Sequence, residues 1–227
     1  MLHSKEFAAE WVELFSAPDV ADILSYVVSC WPEYLDELPQ ESRHSIKTWK
    51  EPVMTESFNL TLNDPSRRKK LRLGEFQPEV KEGAHRDNTG KAKYKGRSDI
   101  RYKPPVAGTA YFLIEFKKLT GKPRPRKDYV IGGMVRFVDG RYSGNQFYGA
   151  MCGIICENIE DEISMVESEI DKAKHILRCQ LDKNNSPFVR PSEFTTSARF
   201  DTKHFRDETN SNVVILAHVF LNLSRLE

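Results

Sequence analysis

The chain has 227 residues, of which 39% are hydrophobic and 30% charged, so it is long and apolar enough for one sizeable core and we expect a single domain, 1–227. The net charge of the chain is only +1, but its basic residues are clustered along the sequence. A local basic groove is therefore compatible with a nearly neutral chain. The N-terminus lacks the apolar segment of a signal peptide, and no stretch of about 18 apolar residues occurs. These features predict a cytoplasmic protein without a membrane span.

The first third of the chain has the apolar spacing of helices. Two such stripes occur before residue 30: Phe7, Trp11, Leu14 and Phe15, then Val20, Ile23, Leu24, Val27 and Val28. A third helix is predicted to begin near Trp49, because Pro52 suits a first turn, and to end at Asn63-Asp64-Pro65. We interpret residues 1–48 as a helical extension and residues 49–156 as the core.

From Leu71 onward the apolar period changes to two, which is typical of strands. Three strands are predicted first, separated by charged or Gly/Pro-containing loops: Leu71 to Val80, Arg97 to Tyr102 and Tyr111 to Leu119. The remaining predicted elements are a basic linker at Gly121 to Lys127, a short helix at Val130 to Val138, a buried strand at Phe147 to Cys156, a helix capped by Asn158, and a strand pair at Thr195 to Phe205 and Val213 to Leu221. This order predicts an α/β fold.

The third predicted strand carries two charged residues on an otherwise apolar segment. Residues two apart on a strand share a face, so Glu115 and Lys117 lie on the same side of the sheet. If this strand pairs antiparallel with the strand before it, which carries Asp99, then Asp99 lies beside Glu115. Neighbouring carboxylates repel unless a cation lies between them, and their oxygens, with the main-chain carbonyl of Phe116, favour Mg²⁺ or Mn²⁺. A metal there would activate a water against a phosphodiester, and Lys117 would orient that water.

Asp99, a spacer and Glu115-Phe116-Lys117 on consecutive strands resemble the PD-(D/E)XK nuclease superfamily, which includes many restriction and phage-defence nucleases. The resemblance extends from Trp49 to Cys156, with Ser98 in place of the proline and no glutamine after Lys117 in the next helix. It implies a restriction-endonuclease-like αβββαβ core with a mixed sheet, an N-terminal helical extension and a C-terminal strand pair. It also implies a Mg²⁺- or Mn²⁺-dependent endonuclease that hydrolyses DNA, in bacterial anti-phage defence.

The same resemblance implies a glutamate from the first core helix near the metal. Glu51 and Glu56 are the candidates, and Glu51 is preferred because it opens the segment leading toward the sheet. The implied catalytic set is Asp99, Glu115, Lys117 and Glu51, and the implied metal ligands are Asp99, Glu115 and Phe116.

Basic residues that follow Lys117 are candidates for contacts with the phosphate backbone: Lys118, Lys122, Arg124, Arg126 and Lys127. A solvated basic loop is the alternative. The partner would be nucleic acid, while residues 1–30 could contact a partner protein or a second copy of the chain.

Three alternatives compete with this interpretation. A second tripeptide, Glu79-Val80-Lys81, follows Asp64 at a similar spacing, although Asp64 lies in a predicted turn. The charged strand face could instead be a surface salt-bridge ladder. Finally, the chain could be a non-catalytic subunit that uses the nuclease fold to bind nucleic acid or a partner protein.

Histidines and cysteines outside this set carry weaker signals. His218 interrupts an apolar strand, which is typical of a satisfied core residue, whereas His204 and Arg206 could bind phosphate. The cysteines have no CxxC spacing, so we predict buried reduced thiols for all four: Cys30, Cys152, Cys156 and Cys179.

Overall fold

The computed structural model describes residues 15–69, 74–82, 85–86, 92–93, 96–105, 111–142, 146–206 and 212–223, with the backbone alone for 79–82, 85–86, 92–93 and 96–99. Phe7, Trp11 and Leu14 of the first predicted helix lie outside these residues. Among the described residues, no helix combines the length and apolar character needed to cross a membrane.

The described helices before the sheet are α1 (Ala17–Glu37), α2 (Gln40–Ser45), a 3₁₀ turn (Ile46–Thr48), α3 (Glu51–Leu62) and α4 (Pro65–Arg68). Two of them, α1 and α3, contain the segments that the sequence predicts as helical, whereas the shorter α2, 3₁₀ turn and α4 were not predicted. Ser16 caps α1 in a capping box with Asp19, and Pro52 lies in the first turn of α3, where its missing N–H needs no partner. Asn63 ends α3 as its C-cap, as the sequence predicts.

The strands form one seven-stranded mixed sheet and a separate two-stranded ribbon. They are β1 (Glu75–Glu82), β2 (His85–Arg86), β3 (Ala92–Lys93), β4 (Gly96–Lys103), β5 (Phe112–Leu119), β6 (Tyr148–Ile155), β7 (Phe188–Val189), β8 (Ala198–Phe205) and β9 (Val213–Asn222). The large sheet has the order β1-β4-β5-β6-β9-β8-β7, in which β5, β6 and β9 run parallel and the other neighbours antiparallel. The predicted α/β class and the C-terminal strand pair are confirmed.

Two hydrophobic cores cover opposite faces of this sheet. Phe112, Ile114 and Phe116 of β5 pack with α1 and α3, while Leu113 and Leu119 face the later helices. Those later helices are α5 (Pro123–Lys127), a π-helical segment (Asp128–Met134), α6 (Val135–Val138) and α7 (Ile159–Ala173). Asn158 caps α7 by accepting hydrogen bonds from the main-chain N–H groups of Glu160 and Asp161, as predicted.

Three parts of the sequence-based assignment need correction. The segment Gly121 to Lys127 was predicted as a linker before a helix beginning at Val130, but its residues from Pro123 are already helical, because a proline in the first turn starts a helix rather than breaking it. The charged loop after β1 contains the β2–β3 ribbon, whose strands are too short to show a period. The short strand β7 was missed for the same reason. All four cysteines are free and buried, as predicted.

Candidate functional site

Glu115 is the central carboxylate of the site. It lies on the face of β5 that packs against α5–α7, and none of its side chain is exposed. Its Oε1 lies 2.9 Å from Lys117 Nζ and 3.3 Å from Arg136 Nη1, and its Oε2 accepts a hydrogen bond of 2.6 Å from the Tyr142 hydroxyl. A buried carboxylate needs such partners to remain charged, and this one has three donors.

The Lys117 ammonium is surrounded by oxygen atoms. Besides Glu115 Oε1, it lies 3.1 Å from Glu51 Oε1 and donates to the carbonyl oxygen of Phe116 at 2.8 Å. Its side chain is 13% exposed, so the charge sits at the edge of the buried region rather than on the surface. This burial excludes the alternative of a surface salt-bridge ladder for Glu115 and Lys117.

Glu51 reaches the site from the first turn of α3. Its Oε2 accepts a 2.7 Å hydrogen bond from the main-chain N–H of Lys118, so it holds the edge of β5 just past Glu115. Glu56 is exposed one turn further along α3. Between these two candidates, the structure brings Glu51 to Lys117.

Arg136 and Tyr142 also lie at the site, although neither was predicted from the sequence. Arg136 Nη1 donates to the Tyr142 hydroxyl at 2.7 Å, and that hydroxyl donates to Glu115. Burial, and next the negative charge of Glu115, raise the pKa of Tyr142 far above its usual value, so the phenol stays protonated. A stable O–H donor thus fixes the orientation of the Glu115 carboxylate.

The π-helical segment that precedes Arg136 packs on the sheet through Gly133. A Cβ atom on Gly133 would lie 2.5 Å from Met151 Cε and 3.5 Å from Glu115 Cγ. The first distance would require the flexible end of the Met151 side chain to move, and the second is an ordinary van der Waals contact, so the segment lies directly against both side chains. Single π-helical turns inside α-helices often occur at functional sites.

Asp99 is placed on β4 through its backbone alone. β4 and β5 pair antiparallel, with Ile100 opposite Ile114, and Asp99 precedes Ile100 as Glu115 follows Ile114. The strand pairing that the prediction requires is therefore present. The side chain of Asp99 lies outside the described residues, so its distance from Glu115 stays a prediction.

The oxygen atoms around Lys117 suit a hard divalent cation. Glu115 Oε1, Glu51 Oε1 and the Phe116 carbonyl all lie within 3.1 Å of one ammonium group, and carboxylate and carbonyl oxygens are the ligands that Mg²⁺ prefers. Within the described side chains, no group of three or more His, Cys, Asp or Glu residues is arranged to hold a metal ion. The oxygen chemistry fits Mg²⁺ or Mn²⁺, with Asp99 as the predicted further ligand.

An open pocket of about 340 Å³ gives access to this cluster. Its wall is formed by charged and small residues: Glu51, Lys117, Lys118, Pro125, Asp128, Gly132 and Arg136. Charges of both signs therefore face a space large enough for a phosphate group.

The basic residues after Lys117 fall into two groups. Lys118 Nζ donates to the carbonyl oxygens of Lys47 and Trp49, at 2.8 Å for the latter, and thereby holds the chain just before α3. Arg126 forms a buried two-bond pair with Glu162, with both N–O distances 2.9 Å. Arg126 is buried in this ion pair, which argues against its predicted contact with phosphate. Lys118 also lines the pocket, so its contact with phosphate stays a prediction.

The other three predicted contacts are on the surface. Lys122, Arg124 and Lys127 are exposed at the start of the helix that follows β5. They remain candidates for nucleic-acid contacts.

The competing tripeptide receives less support from its surroundings. Asp64 caps α4 by accepting a 2.8 Å hydrogen bond from the main-chain N–H of Ser66. Glu79 and Lys81 lie on β1, at the edge of the sheet, and their side chains are outside the described residues.

His204 and His218 form part of a fully buried hydrogen-bonded chain. Thr202 Oγ1 lies 2.7 Å from His204 Nε2 and 2.9 Å from His218 Nε2. His204 Nδ1 lies 2.8 Å from the carbonyl oxygen of Leu177, and His218 Nδ1 lies 2.9 Å from the Tyr129 hydroxyl. One set of neutral tautomers satisfies every ring nitrogen, so both histidines act as core residues.

Arg206 also has a structural role, because its guanidinium donates hydrogen bonds to main-chain carbonyl oxygens. Its Nε donates to the carbonyl oxygen of Phe137 at 2.9 Å, and its Nη1 donates to that of Gln146 at 2.6 Å. The guanidinium therefore joins the end of β8 to the two ends of the connection between α6 and β6.

Comparisons of the chain with protein-family models, with curated proteins and with solved structures give no match.

Proposed function

We propose that this protein is a Mg²⁺- or Mn²⁺-dependent endonuclease that hydrolyses phosphodiester bonds in DNA. The observation that carries the proposal is the convergence of Glu115 Oε1, Glu51 Oε1 and the Phe116 carbonyl on the Lys117 ammonium. The element order supports it as well, because α3, β1, β4, β5, a helix and β6 follow one another as the PD-(D/E)XK resemblance implies. A role in anti-phage defence would follow from that resemblance alone.

The residues would divide the work of hydrolysis. Glu115, Glu51 and the Phe116 carbonyl would hold the cation, together with Asp99 from the adjacent strand. When bound, the metal ion polarises the phosphodiester and lowers the pKa of an attacking water. Lys117 would orient that water and offset the negative charge that develops on the phosphate.

A cleavage assay with the full chain tests this proposal. Duplex DNA, single-stranded DNA and RNA are incubated with Mg²⁺, Mn²⁺ or EDTA. We expect metal-dependent cleavage by the wild type, and a loss of about 100-fold or more in Lys117→Ala, because one cation and its directed hydrogen bonds are removed at the reacting centre. Lys172→Ala is the control, since this lysine is exposed on α7 and pairs only with Glu169 in the described contacts.

The outcome decides between the nuclease and the non-catalytic subunit. Absence of cleavage of all three substrates by the wild type, with nucleic-acid binding equal in wild type and Lys117→Ala, would reject the enzyme and favour a binding module.

A further inference from the structure

Two arginines in the helical region that follows β5 differ in burial and in access to the pocket. Arg126 is 7% exposed and makes a bidentate pair with the Glu162 carboxylate, which is itself 2% exposed. The Arg136 side chain is 32% exposed, lines the pocket and lies 2.7 Å from a neutral hydroxyl but 3.3 Å from its carboxylate partner. Arg126 is thus buried within its ion pair, whereas the Arg136 guanidinium contacts Glu115 and also lines the pocket.

The phenol of Tyr142 sets the position of Arg136 relative to Glu115. Its hydroxyl donates to Glu115 Oε2 at 2.6 Å and accepts from Arg136 Nη1 at 2.7 Å, so each group is held by the same oxygen atom. The ring is buried and packs edge-on against Phe137, with the ring centroids 5.1 Å apart. A guanidinium held in this way loses little freedom when it binds an anion.

The pocket brings this guanidinium near the groups proposed for catalysis. Arg136 shares the pocket wall with Glu51 and Lys117, which lie beside the buried carboxylate of Glu115. An anion that enters the pocket would meet both Arg136 and Lys117, whose cationic groups contact the same oxygen atom, Glu115 Oε1. Planar guanidinium groups match the geometry of phosphate oxygens.

We propose that Arg136 is a substrate-contacting residue whose guanidinium binds a non-bridging phosphate oxygen of the nucleic acid in this pocket. Tyr142 acts as its positioning residue, because it touches Arg136 and Glu115 but is itself buried. The inference rests on the proposed function for the class of ligand, a nucleic-acid phosphodiester. It does not require that the bond be cut.

Binding of DNA without metal separates the two proposals. Affinities of the full chain for a labelled single-stranded and a labelled duplex oligonucleotide are measured in EDTA over a range of salt concentrations. We expect Arg136→Gln to weaken binding about tenfold and to reduce the slope of log K against log salt by about one, as for one lost phosphate contact. Arg136→Lys should keep the slope.

Two further variants distinguish contact from positioning. Tyr142→Phe removes one hydroxyl and leaves the ring, so affinity should fall while the salt slope is unchanged. Arg141→Gln is the matched control, because this arginine is exposed nearby, pairs with Asp139 and does not line the pocket; its binding curve should match that of the wild type.

A chemical measurement on the wild type avoids any folding defect of the variants. Phenylglyoxal modification of arginines, followed by mass spectrometry of peptides, should be slowed by DNA at Arg136 and unaffected at Arg141. Equal modification of Arg136 with and without DNA, or an unchanged salt slope in a folded Arg136→Gln protein, would overturn the inference even if the wild type cleaves DNA. Arg136-dependent binding without any cleavage would instead leave the inference standing and reject the endonuclease.

Discussion

Two buried polar clusters lie on the same face of the sheet, only two strands apart. Glu115 on β5 is opposite Met151 on β6, and Met151 is opposite His218 on β9, so the carboxylate and the imidazole share one row of the sheet. At about 4.8 Å between strands, their backbones are about 10 Å apart. Glu115 and His218 are both fully buried, yet the groups around them are arranged very differently.

The clusters differ in charge and in access to solvent. The Glu115 cluster contains two carboxylates and two cations, and three of these four groups line an open pocket. The histidine chain contains neutral groups, all buried, and begins and ends on groups of the protein itself, the Tyr129 hydroxyl and the Leu177 carbonyl. Burial of polar groups alone therefore does not mark a candidate functional site. The Glu115 cluster is distinguished by charged groups that face a pocket.

Glutamine substitutions in the two clusters should separate activity from stability, with the largest effect expected at Glu115. Glu115→Gln keeps the shape of the side chain and removes the charge that would hold the cation, so cleavage should fall about 1,000-fold. His218→Gln should lower the free energy of unfolding by about 1–3 kcal/mol, because a buried hydrogen-bond partner is lost. Activity is measured at a temperature where both variants are folded, with thermal unfolding followed in parallel.

The same pair of variants can contradict the distinction. If His218→Gln loses as much activity per folded molecule as Glu115→Gln, the histidine chain takes part in the reaction. If Glu115→Gln cleaves at the wild-type rate, the carboxylate has only a structural role.

The sequence revealed these two clusters to different degrees. Glu115 and Lys117 were recognisable because charged residues at alternate positions of an apolar strand must share a face and need partners. The resemblance supplied Glu51, and the structure places it at Lys117. The alternation of side chains along a strand shows which residues share a face of the sheet, so the shared face of Glu115 and Lys117 was predictable from the sequence.

Arg136 and Tyr142 could not be found in this way. Their contact with Glu115 depends on which helix covers β5 and on a π-helical segment that shifts the register of that helix. The apolar period of a single sequence encodes neither of these facts. For the same reason His218 could be assigned to the core, but its link to His204 through Thr202 could not be foreseen.

Removing the hydroxyl of Thr202 tests the enclosed chain directly. Thr202→Val keeps the β-branched shape but leaves one nitrogen of His204 and one of His218 without a partner. We expect the free energy of unfolding in urea to fall by about 2–4 kcal/mol. Thr202→Ser retains the hydroxyl and should lose about 1 kcal/mol at most. A loss in Thr202→Val no larger than in Thr202→Ser would mean that the hydroxyl does not join the two rings.

The smallest effect is expected from pH, because two buried histidines and one buried aspartate act in opposite directions on stability. Burial lowers the pKa of His204 from 6.5 to about 4 and that of His218 well below its usual value. Their contribution to stability is present above pH 6.5 and is lost as the pH falls toward 4, since the unfolded chain takes up protons that the native state excludes. Burial raises the pKa of Asp201 from 3.8 to about 6, so its contribution is present below pH 3.8 and is lost as the pH rises through 6.

Asp201→Asn removes the opposing group and should expose the effect of the histidines. The free energy of unfolding of this variant should fall more steeply than that of the wild type between pH 6.5 and 4. In NMR spectra, the ring protons of His204 and His218 should keep constant chemical shifts from pH 7 to pH 5. A midpoint near 6.5 for either ring would show that water and protons reach the chain, and the contrast with the Glu115 cluster would then disappear.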